Sequence, residues 1–216
     1  MLNIKGLSVR RGDKLILDRL DLRMNQGETL ALKGASGCGK STLLKACLGG
    51  CPWKADQFLF EGVTITPKTL SYIRQRSGYI AQESTLPGHT VQEAMEQPFQ
   101  FLAYQDKPFP AEELIRRMAD FHLSEHLLTS HPSELSGGQR QRFAIIRVLL
   151  LSPKLIVADE PTSALDNVSR NAVIEALLNG QRTVISTSHD SHWLDACERV
   201  ELMMKGKMIR EAGYAH

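Results

Sequence analysis

The sequence has almost no charge excess, no unbroken apolar run and no zinc-spaced cysteines, and each shortage narrows what the chain can do. Its 26 Lys and Arg stand against 24 Asp and Glu, a formal net charge of +2. A dedicated nucleic-acid binder carries a clear basic excess, so no nucleic-acid partner is expected. The opening "MLNIKGLSVRRGDK" lacks the apolar stretch of a secretory signal. The most apolar region, "FAIIRVLLLSPKLIVA", is interrupted by Arg147, Pro153 and Lys154. It reads as buried elements and not as a membrane span. The cysteines, Cys38, Cys47, Cys51 and Cys197, lack the spacing of a zinc site and read as reduced cytosolic thiols. Internal repeats and low-complexity segments are also missing.

What the sequence does contain is alternation. Its 216 residues, 42% of them hydrophobic, suffice for one domain with a full apolar core. "LNIKGLSV" and "LDRLDLRM" alternate apolar and polar as half-buried strands do, and "ETLALK" leads into a glycine-rich loop. "KSTLLKACLGG" follows with helical character, and "QFLFEG" and "SGYIAQ" are further short strands. From about Thr90 to Leu150 the pattern turns helical, punctuated by Pro98, Pro108, Pro110 and Pro132. "KLIVADE" is an apolar strand ending in two acids, "NVSRNAVIEALL" an amphipathic helix, and "RTVISTSHD" a strand running to His189. A short helix and a hairpin about Lys205 and Gly206 follow. Strands alternating with helices predict an α/β fold, a mostly parallel sheet with helices on both faces. Strands that precede any helix add an N-terminal antiparallel β subdomain. The expectation is a single domain over 1–216, with its core from 1–84 and 151–216 and an inserted α-helical lobe from about 85–150.

"GASGCGKS" fits G-x-x-x-x-G-K-[ST] in full and lies between a strand and a helix. That is the setting of a phosphate-binding loop, and it makes the core that of a P-loop NTPase. Gly34, Ala35, Ser36, Gly37, Cys38 and Gly39 bring backbone N–H groups around phosphate oxygens. Lys40 supplies a point charge, Ser41 a hydroxyl for Mg²⁺, and Thr42 further support. The helix beginning here aims its positive end at the same anion. Cys38 reads as a small residue in a tight loop or, alternatively, as a redox-sensitive thiol.

Asp159 and Glu160 close the strand "LIVADE". At the carboxyl end of a central strand they sit beside the phosphate loop. Asp159 suits Mg²⁺, held through water. Glu160 is the candidate for orienting the attacking water that phosphoryl transfer needs. His189 can hydrogen-bond the γ-phosphate and that water. Gln82, after "SGYIA", can reach the metal or the water through its amide.

A second glycine segment, "SELSGGQRQRFAIIRVLLLSP", opens with a serine cap and runs as a helix that stops before Pro153. Its N-terminus offers free N–H groups and the Ser136 hydroxyl to an anion. With this segment the chain resembles the nucleotide-binding domain of ATP-binding cassette (ABC) transporters along nearly its whole length. "GASGCGKST" resembles the Walker A motif, "YIAQ" with Gln82 the Q-loop, and "LIVADE" Walker B. "LSGGQ", Leu135, Ser136, Gly137, Gly138 and Gln139, matches the signature motif. "SALD" with Asp166 is similar to the D-loop, and "SHD" with His189 to the switch histidine. The resemblance implies ATP and Mg²⁺ as ligands, ATP hydrolysis, and a head-to-tail homodimer on ATP binding. In such a dimer each nucleotide lies between Walker A of one copy and the signature of the other.

The resemblance further implies a separate transmembrane permease subunit and a place on the cytoplasmic face of the inner membrane. Translation factors of the family carry two cassettes, and repair members carry long insertions; neither feature is present. "ESTLPGHTVQEAM" corresponds to the family's contact with the permease, with Leu86, Pro87 and Val91 as apolar candidates or as ordinary packing. Arg11 occupies the place of an aromatic that stacks on adenine in many relatives, and reads as a stacking guanidinium or as a solvated side chain. The stretch after "EAGYAH" is expected to carry no regulatory domain. "LFEG" and "TVQEAMEQPFQF" bear a slight resemblance to ATPase subunits of bacterial metal exporters, within a broader expectation of small-solute or ion transport.

Overall fold

The structure is a computed structural model that describes residues 1–104, 106–180 and 182–209. Alternation builds its first sheet. β1 (Leu2–Arg11) buries Leu2, Ile4, Leu7 and Val9, and β2 (Lys14–Met24) buries Leu17, Leu20, Leu22 and Met24. In both strands the period slips by one residue, and the pairing register shifts at the same places. These are β-bulges, which return the next apolar side chain to the buried face. β4 (Gln57–Phe60) and β5 (Val63–Thr64) complete a four-stranded antiparallel sheet of order β2-β1-β4-β5.

The second sheet contains β3 (Thr29–Lys33), β6 (Ser77–Ile80), β7 (Leu155–Asp159), β8 (Thr183–Thr187), β9 (Arg199–Met204) and β10 (Lys207–Ile209). Its order is β10-β9-β3-β8-β7-β6. All neighbours pair in parallel except β10 with β9. Every residue of β7 and β8 is buried, as central strands covered on both faces require. The helices are α1 (Lys40–Cys47), α2 (Leu70–Arg74), α3 (Val91–Glu96), α4 (Ala111–Asp120), α5 (Gly137–Leu150), α6 (Asn167–Leu178) and α7 (Ser191–Ala196).

Each face of the parallel sheet carries its own apolar cluster. Leu155 and Val157 of β7 join α1 and the antiparallel sheet, with Leu43, Leu44, Phe58 and Phe60. The alternate residues Ile156 and Ala158 join the helices, with Met95, Met118, Phe121, Phe143 and Trp193. The period-2 alternation of one strand thus assigns the two halves of the molecule to opposite faces. The helices between Val91 and Leu150 share their core with the sheet, because α5 runs back from that lobe to pack Val148 beside Gly78 of β6. The indole N–H of fully buried Trp193 donates to Ser186 Oγ at 2.9 Å, tying α7 to β8.

The expected hairpin about Lys205 and Gly206 is present as β9–β10. Two strands are shorter than the sequence predicts: β8 ends at Thr187 and β7 at Asp159, so His189 and Glu160 stand just past the strand tips. The expectation for the chain after Ile209 lies outside the described residues.

Candidate functional site

The phosphate loop is built by close packing. After β3 the chain turns at Gly34, where a Cβ would stand 2.2 Å from the Met203 carbonyl of β9. Only glycine permits that approach. α1 begins after Gly39 with no side-chain cap, and its first backbone bond runs from Leu43 N–H to the Gly39 carbonyl. The N–H groups of the first turn are therefore free for an anion. Lys40 is 8% exposed, and its ammonium donates to the carbonyls of Gly34 (2.7 Å) and Ala35 (3.3 Å). Those bonds hold the charge inside the loop and leave a third N–H for a ligand.

Facing the loop are the tips of β7 and β8. The Ser41 hydroxyl donates to Asp159 Oδ1 at 3.0 Å, and the Thr187 hydroxyl donates to the same oxygen at 2.7 Å. Asp159 is 6% exposed, so these bonds fix its orientation. Glu160 has φ of 50°, a conformation that non-glycine residues rarely adopt. Its N–H donates to Thr187 Oγ1 (3.1 Å) and to the Thr187 carbonyl (3.2 Å). The His189 N–H donates to Glu160 Oε2 (3.3 Å), and His189 Nε2 stands 3.6 Å from Oε1. The Glu160 carboxylate is thus sheltered and aimed, while the imidazole beside it is largely exposed.

These residues line one open cavity of about 630 Å³. Its walls include Arg11, Ser36, Gly37, Gly39, Lys40, Ser41, Thr42, Gln82, Asp159, Glu160 and His189. Ile16 and Thr187 complete its lining with Ser163. Ser41 and Asp159 present a hydroxyl and a carboxylate side by side, the hard oxygen donors that Mg²⁺ takes while keeping water and phosphate oxygens as further ligands. Among the described residues no cluster of three or more His, Cys, Asp or Glu could cage a metal. A hydroxyl and one carboxylate leave room for water and phosphate oxygens, so the donor pair fits an ion that arrives with a nucleotide.

The second glycine segment lies elsewhere: none of residues 135–139 lines this cavity. Ser136 caps α5, accepting from Gln139 N–H at 3.2 Å, while Gln139 Oε1 accepts from Ser136 N–H at 2.8 Å. That capping box fixes the helix start and leaves the Ser136 hydroxyl proton free to donate. Gly138 packs against the Ala164 carbonyl, where a Cβ would stand 3.2 Å away. Asp166 caps α6, and the Ser169 N–H bonded to its carboxylate (2.8 Å) holds it below the usual carboxylate range. The Arg142 guanidinium adds to that effect.

The family model described as ABC transporter matches residues 17–163. The chain belongs to that family. The probable iron export ATP-binding protein FetA of Escherichia coli is 33% identical over 219 residues, spanning 99% of this chain and 96% of its own length. The energy-coupling factor transporter ATP-binding protein EcfA1 of Halalkalibacterium halodurans is 33% identical over 208 residues, 93% of this chain and 73% of its own. Among solved structures, a dimeric ATP-binding cassette in a post-hydrolysis state bound to ADP and Pi superposes with a TM-score of 0.84 and 28% identity over 98% of each chain. The protein is an ABC ATPase of P-loop fold that uses ATP with Mg²⁺.

Of the three residues read either as permease contacts of this ABC ATPase or as ordinary packing, two are ordinary packing. Leu86 is 8% exposed and Val91 fully buried, because both face the lobe's apolar cluster; Pro87 alone is exposed. No helix among the described residues is long and apolar enough to cross a membrane. Sequence reasoning passed over Thr187, which bonds both Asp159 and Glu160. A hydroxyl at the tip of an otherwise apolar strand, "VIST", is the signal that marks it. It also passed over Ser163, which lines the cavity, and buried Gln141, which does not.

Proposed function

We propose that this ATPase drives a separate membrane permease from the cytoplasmic face, by pairing with a second copy around two ATP molecules and parting after hydrolysis. The observation that carries the reading is the separation of the two anion-binding segments. A nucleotide in the cavity meets Lys40, Ser41, Asp159, Glu160 and His189. Ser136, Gly137 and Gly138 belong to no part of that cavity, so their N–H groups and hydroxyl serve a nucleotide held by another copy. Losing the γ-phosphate removes the bridging contacts and lets the pair open.

Within each site we assign the roles as follows, with the placing of these side chains around one cavity as support. Lys40 and the free N–H groups of α1 hold the β- and γ-phosphates. Ser41 and Asp159 would hold Mg²⁺, which would supply positive charge beside the phosphates. Glu160 accepts a hydrogen bond from the attacking water and aims its oxygen at the γ-phosphorus. His189, against Glu160, donates towards the γ-phosphate, and Gln82 reaches the same space from the loop after β6. Arg11 lies against the base. Asp166 stands next to the signature helix, where the two copies meet. The cargo is a small solute or ion, recognised by the permease.

The test is a mild-detergent pull-down of this chain from its native membranes. Recovery of a multi-span membrane protein at equal stoichiometry is the expected result. A chain that returns without one, or with ribosomes or DNA, contradicts the reading.

A further inference from the structure

Gln141 is a polar side chain set in an apolar helix face. It lies on α5, just past the signature motif, and is 2% exposed. An amide buried there is costly unless both of its ends are bonded. Both are. Its Oε1 accepts from the hydroxyl of Ser84, two residues beyond Gln82. Its Nε2 donates to the carbonyl of Pro161, the residue after Glu160, at 3.3 Å. A carbonyl only accepts, so the amide orientation is fixed by its partners. None of Gln141, Ser84 and Pro161 lines the nucleotide cavity.

We infer that Gln141 is a positioning residue that ties the signature helix to both the glutamine loop and the carboxylate turn of its own chain. Glu160 needs such support. Its positive φ persists only where the surroundings over-determine it. Thr187 fixes its N–H from one side, and Gln141 fixes the following carbonyl from the other. Proline has no N–H, so that carbonyl is the one backbone handle Pro161 offers.

The inference rests on Glu160 as the water-orienting group, and the experiment keeps the two apart. Gln141→Met keeps length and apolar packing but removes both hydrogen bonds; Ser84→Ala removes one of them at the partly exposed end. ATP affinity, melting temperature, and kcat and KM for Mg-ATP are measured for each variant. The expected result is kcat lowered about tenfold or more in Gln141→Met, as small misplacements of reacting groups cost rate. ATP affinity and KM stay within about twofold of the parent, since the phosphate loop is untouched. Ser84→Ala lowers kcat about threefold, having lost one bond of the pair. Added to Glu160→Gln, Gln141→Met changes the residual rate less than about twofold, because groups acting as a unit are not additive.

A folded Gln141→Met with parental kcat overturns the inference. So does an undiminished loss of rate on the Glu160→Gln background, which places its action elsewhere. If Gln141→Met does not fold, parental kcat in Ser84→Ala overturns it. Normal turnover in Glu160→Gln alone overturns the Glu160 assignment and the inference with it.

Discussion

Replacing Gly206 with alanine perturbs the nucleotide site from about as far along the chain as the described residues allow. Lys205 (φ 48°) and Gly206 (φ 77°) form the tight turn between β9 and β10. The Gly206 N–H donates to the Cys38 carbonyl in the phosphate loop at 2.9 Å, and its own carbonyl accepts from Asp18 N–H at 3.1 Å. A Cβ on residue 206 would stand 2.2 Å from the Ile16 carbonyl oxygen. Backbone cannot yield as a side chain does, so the turn must lift. The left-handed φ costs alanine about 1–2 kcal/mol, and the two displaced hydrogen bonds about 1 kcal/mol each. The sum is about 3–4 kcal/mol. For a chain of this size about 2–4 °C of melting temperature go with each kcal/mol, so a fall of about 10 °C is expected.

Gly62 provides the control. It follows Glu61 (φ 50°) in the β4–β5 turn with φ of 80°, the same turn geometry, yet nothing lies within 4 Å of its added Cβ. Gly62→Ala therefore costs the φ term alone, about 1–2 kcal/mol. Thermal melts of both variants, with ATP titrations, make the comparison. ATP affinity should fall several-fold in Gly206→Ala and stay unchanged in Gly62→Ala. Equal melting temperatures with equal affinities would refute the claim that the hairpin braces the phosphate loop.

Other expectations are shorter to state. Ser136→Arg should bind ATP as the parent does, since residue 136 lies outside the cavity, while turnover falls about a hundredfold for loss of a transition-state donor; steady-state ATPase against equilibrium binding checks this. Trp193→Ala should lose about 3–5 kcal/mol in denaturant unfolding, because the indole is fully buried and its N–H is bonded to Ser186. Burial pushes the Cys47 thiol from 9.0 up to about 12. The folded value lies above the unfolded one, so this contribution is complete below pH 9.0 and is lost as pH rises towards about 12. The alkaline slope of stability should flatten in Cys47→Ala, measured by denaturant titrations across that window.

How much of this was legible in the sequence differs by the range of the interaction. The phosphate loop, the cap of α5 and the apolar run of β7 are local patterns, and each appears where the sequence places it. "QFLFEG" and "SGYIAQ" look alike as short strands, yet β4 pairs with β1 and β6 with β7. Sheet membership is decided by partners far along the chain, which no local period encodes. Leu86 and Val91 illustrate the same limit: apolar residues in a polar neighbourhood serve equally for docking and for a core, and the fold turns both inward. Thr187, Gln141 and the bond from the Gly206 turn to the phosphate loop escaped because each is a contact between segments distant in the chain.

The central claim is that the cavity of one copy and the signature segment of another together enclose ATP. Light-scattering mass of Glu160→Gln with Mg-ATP or Mg-ADP tests it most directly, because this variant keeps the phosphate-binding groups and stalls the hydrolysis that would part the copies. The account predicts a doubled mass with ATP, a single mass with ADP, and a single mass with ATP once Ser136→Arg is added. A single mass at saturating ATP, or a dimer indifferent to the γ-phosphate and to residue 136, would contradict it.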